Sequence, residues 1–181
     1  ETELPAKAGV ILHPVTGGPE VDASLMTNLP GVFAAGNVLQ IHDLVDRVAE
    51  EASRAGDACA DWLDRERGAA GEPSLSAEPA TLRGYPLVPG ANVRYVVPSR
   101  SRRGGPTRVS LRSLAVLEDC ELRCERDGTV VHSRSLQRAR PGEMIVFDLP
   151  DATAPQAGGS GTDDSPVTVS LAPRQREGNL L

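Results

Sequence analysis

The stretch from Leu29 to Leu63 sets the strictest limits on what this chain can build. A short apolar run, Val32 to Ala35, lies between the breakers Pro30-Gly31 and Gly36-Asn37, which predicts a buried strand of few residues. Soon after, Val45, Val48, Ala52, Ala55, Cys59 and Trp62 recur at alternating spacings of three and four, the pattern of one helical stripe. Ala49, Gly56 and Leu63 widen that stripe. Asp46, Arg47, Glu50, Arg54, Asp57 and Asp61 lie on the other side, where Glu50 and Arg54 are spaced for an i,i+4 pair. A strand, a small-residue turn and a helix therefore follow one another directly.

Such a junction is suited to a ligand. The first turn of a helix carries backbone N–H groups without partners and a partial positive charge of about half an elementary unit. Gly36 lets another molecule approach the backbone, and Asn37 offers a donor and an acceptor at the carboxyl end of the strand, where open α/β sheets place their ligands. The same features also describe an ordinary strand-to-helix unit with no ligand. Asp43, just before the first apolar helical residues, is placed to cap them, and His42 sits beside whatever the helix end faces.

The run TNLPGVFAAGN, Thr27 to Asn37, with the helix beyond it, resembles the second flavin-contacting motif of the FAD-dependent pyridine nucleotide–disulfide oxidoreductase superfamily. That motif is a Thr, then Pro-Gly-hydrophobic-aromatic-Ala-x-Gly-Asp, then a helix whose amino end points at the pyrimidine side of the flavin. Asn37 stands where the family has the Asp that hydrogen-bonds the ribityl chain; an amide still accepts from a ribityl hydroxyl, without the charge. The segment Gly9 to Asn28 fits the hairpin that precedes the motif, so the likeness covers about the first third of the chain. It implies FAD contacts at Gly36, Asn37, Val38, His42, Asp43, Leu44 and Val45. In that setting His42 faces the flavin, where a group titrating near neutral pH tunes the charge of the reduced ring, or else it belongs to a capping pair with no chemistry.

A dinucleotide-binding fold also needs a Gly-x-Gly-x-x-Gly turn between its first strand and first helix. Gly17-Gly18, Gly104-Gly105 and Gly158-Gly159 all lie outside that context. The expectation is thus the carboxyl-terminal portion, or a separate subunit, of a flavoprotein moving electrons between a nicotinamide cofactor, NAD or NADP, and a small-molecule substrate or partner. The remaining half of the FAD site and the NAD(P) site are expected on an amino-terminal remainder or partner subunit. A different class of function, a non-catalytic β-sandwich interaction module attached to a relic flavoprotein segment, is the alternative.

The chain of 181 residues has room for one ordinary domain or two small ones. Its formal net charge is -6 with both signs interspersed, which favours neither nucleic acid nor an anionic membrane, and no apolar run approaches the roughly 20 residues of a bilayer span. Cys120 and Cys124, on one face of an expected strand, sit about 13 Å apart at roughly 3.3 Å per residue, beyond the about 7 Å that a disulfide tolerates. Cys59 falls on the helical stripe. Structural thiols and a reducing compartment, the cytoplasm, are expected.

The hairpin before the motif is expected from Val10 to Leu12, a Thr16-Gly17-Gly18-Pro19 turn and a return over Glu20 to Asp22, with His13 at the surface. Residues 64–90, rich in Gly, Pro, Ala and Ser, are expected as a linker between an amino-terminal region, 1–63, and a carboxyl-terminal one, 91–181. Beyond the linker an alternation of period two takes over: Val93, Tyr95 and Val97 point one way, and Val109 with Leu111, then Cys120, Leu122 and Cys124, alternate with polar residues. Asp127-Gly128 is a type I′ hairpin signal leading into Thr129 to Leu136. With Met144 to Leu149 and Val167 to Leu171, these strands predict a small antiparallel sandwich or barrel interrupted by a surface loop over Ala152 to Pro166. The fold class expected is α+β: a partial FAD-binding segment of hairpin, strand and long helix, then the sandwich. Arg100, Arg102 and Arg103 make a basic cluster suited to a phosphate, to an acidic partner or to plain solvation, and His132 has no second ligand nearby.

Overall fold

Alternating apolar residues in the second half of the chain close two sheets face to face. The computed structural model describes residues 3–68, 82, 84–151 and 164–174; the stretches of the expected linker and surface loop that fall on 69–81, 83 and 152–163 lie outside the described residues. The strands are β1 (Tyr85–Pro89), β2 (Val93–Val97), β3 (Arg100–Ser101), β4 (Thr107–Ser113), β5 (Leu117–Arg126), β6 (Thr129–Ala139), β7 (Met144–Leu149) and β8 (Val167–Pro173). One sheet has the order β3-β1-β8-β5-β6, the other β2-β4-β7. Between them lie Leu87, Val96, Val109, Leu111, Leu122, Phe147, Leu149, Val167, Val169 and Leu171, all buried. Burial of this kind is the main source of stability in a sandwich.

Asp127 and Gly128 both have positive φ, 50° and 75°, and join β5 to β6 as the dipeptide predicts. Cys120 and Cys124 lie buried and unbonded on one face of β5. His132 stacks on Phe147, ring centroids 5.5 Å apart.

Three expectations are corrected here. Tyr85–Pro89 is a strand and not linker: despite Pro86 and Pro89 it lies between β3 and β8, with Tyr85 and Leu87 turned into the core. β1 pairs with β8 in parallel, so the sheets are antiparallel only in their other pairings. A register shift between Val93 and Tyr95 breaks the alternation of β2, because a bulge turns the residues after it to the other face. Val93 and Val96 therefore face the sandwich, while Tyr95 and Val97 face away from it.

That outer face of the smaller sheet carries a third layer. Tyr95 and Val97 join Val21, Leu25, Ala34, Leu39 and Ala55 in a second apolar cluster, so the amino-terminal region and the β region share a core. A short helix α1 (Glu3–Lys7) precedes the hairpin, which is reduced to a single bridge, Leu12 to Pro19. His13 is half-buried: its Nδ1 accepts from the Val15 and Thr16 amides and its ring meets Tyr95 edge-on, so it builds the turn. Asn28 ties the hairpin to the motif, its Oδ1 accepting from Ile11 N–H at 2.8 Å and its Nδ2 donating to the Gly9 carbonyl at 2.9 Å.

The strand expected over Val32 to Ala35 is one bridge between Phe33 and Met26, with Val32 exposed. A strand needs a neighbouring ladder, and only the 25–27 turn reaches this one, through Thr27 N–H to Val32 O and Ala34 N–H to Leu25 O. The long helix α2 (Val45–Gly68) forms, but it is rotated from the predicted stripe. Glu51 and Ala55 are its buried residues, Trp62 is half-buried, and Val45 and Ala52 are exposed. Trp62 rests on the Pro30-Gly31 turn, where Gly31 has φ +77° and a Cβ would stand 2.8 Å from Trp62 Cη2. No helix among the described residues is long and apolar enough to cross a membrane.

Candidate functional site

The segment from Gly36 to Val45 runs from the end of the motif to the first residue of the helix, and its buried and exposed residues differ in chemistry. Gly36 opens one turn of 3₁₀ helix, Gly36–Val38, with φ +73° and Val48 close enough to crowd any side chain there. Its N–H donates to Glu51 Oε2 at 2.7 Å. The same carboxylate oxygen lies 3.0 Å from His42 Nε2, and Glu51 Oε1 accepts from Gln40 Nε2 at 3.1 Å. Gln40 continues to β4, donating to Ser110 Oγ at 2.7 Å. A buried carboxylate thus gathers three donors, which is how a charge is kept inside a protein. His42 Nδ1 is buried without a hydrogen-bond partner among the described residues. Beside it a hollow of about 30 Å³, lined by His42, Glu51, Arg54 and Ser110, has the size of one water.

Asp43 is fixed from the same side. Arg112 of β4 donates to its Oδ1 and the Met144 N–H to its Oδ2, so the carboxylate serves the sheet and not the first turn of α2. Arg112 also donates to the carbonyls of Ile41 at 2.9 Å and Gly142 at 2.7 Å and to the Tyr95 hydroxyl at 3.1 Å. Burial raises the pKa of the Tyr95 phenol, against the pull of Arg112.

The other side is open. Val38, Ile41, Leu44 and Val45 are 41, 73, 58 and 78% exposed around the start of α2. Asn37 is exposed as well; its Oδ1 accepts from His42 N–H at 3.3 Å. Next to them an apolar hollow of about 500 Å³ runs along the motif, lined by Leu4, Ala8, Leu29, Phe33, Ala35 and Val38.

Of the residues singled out in the sequence, Asn37, Val38, Leu44 and Val45 are therefore exposed, with Val38 at the hollow, while Gly36, His42 and Asp43 bond inward. The inward turn of the His42 ring sets it against Glu51, not toward the open face. Sequence reasoning missed Gln40, Glu51, Ser110 and Arg112, which hold the segment in place. Glu51 had one signal: a carboxylate three residues after Val48 and four before Ala55, within the helical periodicity.

Among the described residues no group of three or more His, Cys, Asp or Glu is placed to hold a metal ion. For a flavin the fit is partial and one-sided: the open face offers the Asn37 amide, apolar side chains for a ring to rest on, and a helix start with exposed Leu44 and Val45. No family model, curated protein or solved structure matches the chain.

Proposed function

We propose that this chain is the carboxyl-terminal portion, or a completing subunit, of an FAD-dependent oxidoreductase that moves electrons between a nicotinamide cofactor and a small-molecule substrate or partner. The observation that carries the reading is the open face: Asn37, Val38, Leu44 and Val45 stand exposed around the amino end of α2, beside a 500 Å³ apolar hollow. Large exposed apolar patches mark surfaces that bind something. A polypeptide carrying a Gly-x-Gly-x-x-Gly turn, with the FAD it binds, is the occupant that the motif's resemblance implies.

When bound, the flavin supplies the electron transfer. The residues of this chain bind and orient it. Asn37 accepts from a ribityl hydroxyl, and Val38, Leu44 and Val45 exclude water from the ring edge. The backbone N–H groups at the start of α2 favour negative charge on the pyrimidine side. Gly36 is held for this by Glu51. His42 and Asp43 act on position through the bonds that tie the segment to β4.

The test is to co-express the chain with the polypeptide encoded in frame upstream or beside it that carries the glycine-rich turn, and to record the visible spectrum of the purified complex. Bound flavin is expected, and Asn37→Ala weakens its retention by one hydrogen bond, on the order of 1 kcal/mol or about fivefold. A complex that forms without flavin overturns the reading.

A further inference from the structure

The second half of α2 borders two adjoining hollows that the flavin reading does not use. The first, about 250 Å³, lies among Ser24, Arg54, Ala58, Arg65 and Arg102. Arg54 and Arg65 are eleven residues apart, three helical turns, and so share a face of α2 with the small Ala58 between them. Arg102 reaches the hollow from the segment between β3 and β4. Neither Arg54 nor Arg102 places its guanidinium in a hydrogen bond or ion pair among the described residues, and Arg65 donates only through Nε, to the Asp61 carbonyl at 3.0 Å. Asp57 and Asp61 also line this hollow and form no ion pair with the three arginines.

Arg54 is the telling member. It is half-buried, and burial lowers the pKa of its guanidinium, with Arg108 pushing the same way against Glu51, Glu50 and Asp148. Glu51, Glu50 and Asp148 lie within electrostatic reach of Arg54 without bonding it, so a bound anion adds the paired N–H contacts that these carboxylates do not supply.

The second hollow, about 300 Å³, shares Ser24, Ala58, Arg65 and Arg102 with the first. Its further walls include Met26, Phe33 and Trp62, and also Asp22, a buried carboxylate whose Oδ1 accepts from the Ser24 and Met26 amides. Trp62 is fixed by its seat on Gly31. Arg103, also at this hollow, lies over the Tyr85 ring at 4.4 Å from the centroid, a contact that holds a guanidinium in place. Positive groups on one side and flat apolar surfaces on the other are the two halves of a recognisable site.

We infer that the joined hollows bind a small anion with a planar ring, its phosphate or carboxylate among Arg54, Arg65 and Arg102 and its ring against Trp62 and Phe33. The arginines pair with either anion, since a guanidinium meets both through two parallel N–H groups.

Trp62 is the one tryptophan of the chain, so its fluorescence reports on this site directly. The full chain is titrated at low salt with adenosine monophosphate, with benzoate and with adenosine. Saturable change with the nucleotide or with benzoate is expected, and the tighter of the two identifies phosphate or carboxylate as the anion. Adenosine, with the ring and no anion, binds at least roughly tenfold more weakly than the nucleotide. Arg102→Ala, on an exposed segment, raises the dissociation constant of the better ligand at least roughly tenfold, and Arg102→Lys restores some of the loss. Circular dichroism and the melting curve confirm that each variant is folded. The inference fails if neither anion gives a saturable change up to millimolar concentration. It also fails if adenosine binds as tightly as the nucleotide, or if folded Arg102→Ala binds as the parent does.

Discussion

Strand β4 holds one layer on each face, and it holds them by different means. Val109 and Leu111, both fully buried, point into the sandwich and contribute nothing directional. Arg108, Ser110 and Arg112, the residues between and beside them, point the other way. They bond to Glu50, to Gln40, and to Asp43 with the Ile41 carbonyl. The sandwich side is a continuous apolar core, whereas the helical side is a small cluster of Ala34, Ala55, Leu25 and Leu39 surrounded by a buried polar network. Apolar burial scales with area and tolerates small displacements. A buried hydrogen bond does not, because each donor left without its acceptor costs about 1–3 kcal/mol. The sandwich therefore sets how stable the molecule is, and the network sets where Gly36 to Val45 stand.

The largest effect expected from this division is in the sandwich. Leu122 is fully buried between Cys120 and Cys124 on β5. Leu122→Ala leaves a cavity in a closed core and lowers stability by about 3 kcal/mol. Urea unfolding followed by far-ultraviolet circular dichroism and by Trp62 fluorescence is expected to show both probes shifting together, since the helical layer rests on β2 and β4. A loss below about 1 kcal/mol, or Trp62 unaffected, breaks the comparison.

Glu51→Ala comes next, at about 2 kcal/mol, because it strands the Gly36 N–H and His42 Nε2 and leaves Gln40 Nε2 with only its bond to Ser110 Oγ. Its signature is local. Amide hydrogen exchange is expected to speed up over residues 36–45 while β5 and β8 keep their protection. Equal loss of protection in both regions contradicts a network that acts on position.

The two sides of β4 were unequally legible in the sequence. Period-two alternation named the sandwich strands from β4 onward because apolar residues for the sandwich core alternate along them with polar ones, and Asp127-Gly128 fixed a hairpin because few residues accept positive φ twice in succession. Two prolines hid β1, whose place depends on the two-residue β3 and on β8, a strand far along the chain. The length of α2 was legible, but the face it buries was not. Periodicity rates Val45 and Ala52 as inward and a carboxylate as outward, while Glu51 is buried by partners at residues 36, 40 and 42 that no helical pattern contains. The motif around Gly36 and Asn37 was visible as a junction. That β4 would grip it through Ser110 and Arg112 was not, since contacts 69–71 residues apart leave no local trace.

A change of pH separates the two sides further. Burial pushes the Cys124 thiol of β5 up to about 12 from an ordinary value of 9.0, and raises Cys120 in the same direction. A thiol that holds its proton more tightly folded than unfolded contributes stability that is whole below about pH 9 and drains away as pH climbs toward 12. The unfolded chain sheds the proton first, so each pH unit in that window costs up to about 1.4 kcal/mol per such thiol. Stability measured from pH 8.5 to 10.5 is expected to fall, and Cys124→Ala to flatten the slope even though it lowers the plateau. An unchanged slope removes the thiol from the balance.

The smallest effect is expected where the helical layer meets β4 in the open. Arg108 donates to Glu50 Oε1 at 3.3 Å and to Asp148 Oδ2 at 3.1 Å, but the Glu50 and Asp148 side chains are 54 and 63% exposed. Exposed ion pairs contribute about 0–1 kcal/mol, since water screens the charges and two long side chains lose freedom in holding them. Glu50→Ala also leaves Arg108 its second carboxylate, so the change in stability should stay within about 0.5 kcal/mol, and addition of salt should erase it. Glu50 and Glu51 are adjacent in sequence and both bond between α2 and the rest of the molecule, which makes the pair a controlled comparison: the same functional group on the same turn, one in water and one out of it. If Glu50→Ala proved as costly as Glu51→Ala, charge between the layers would be the cause, and burial would lose its place in the explanation.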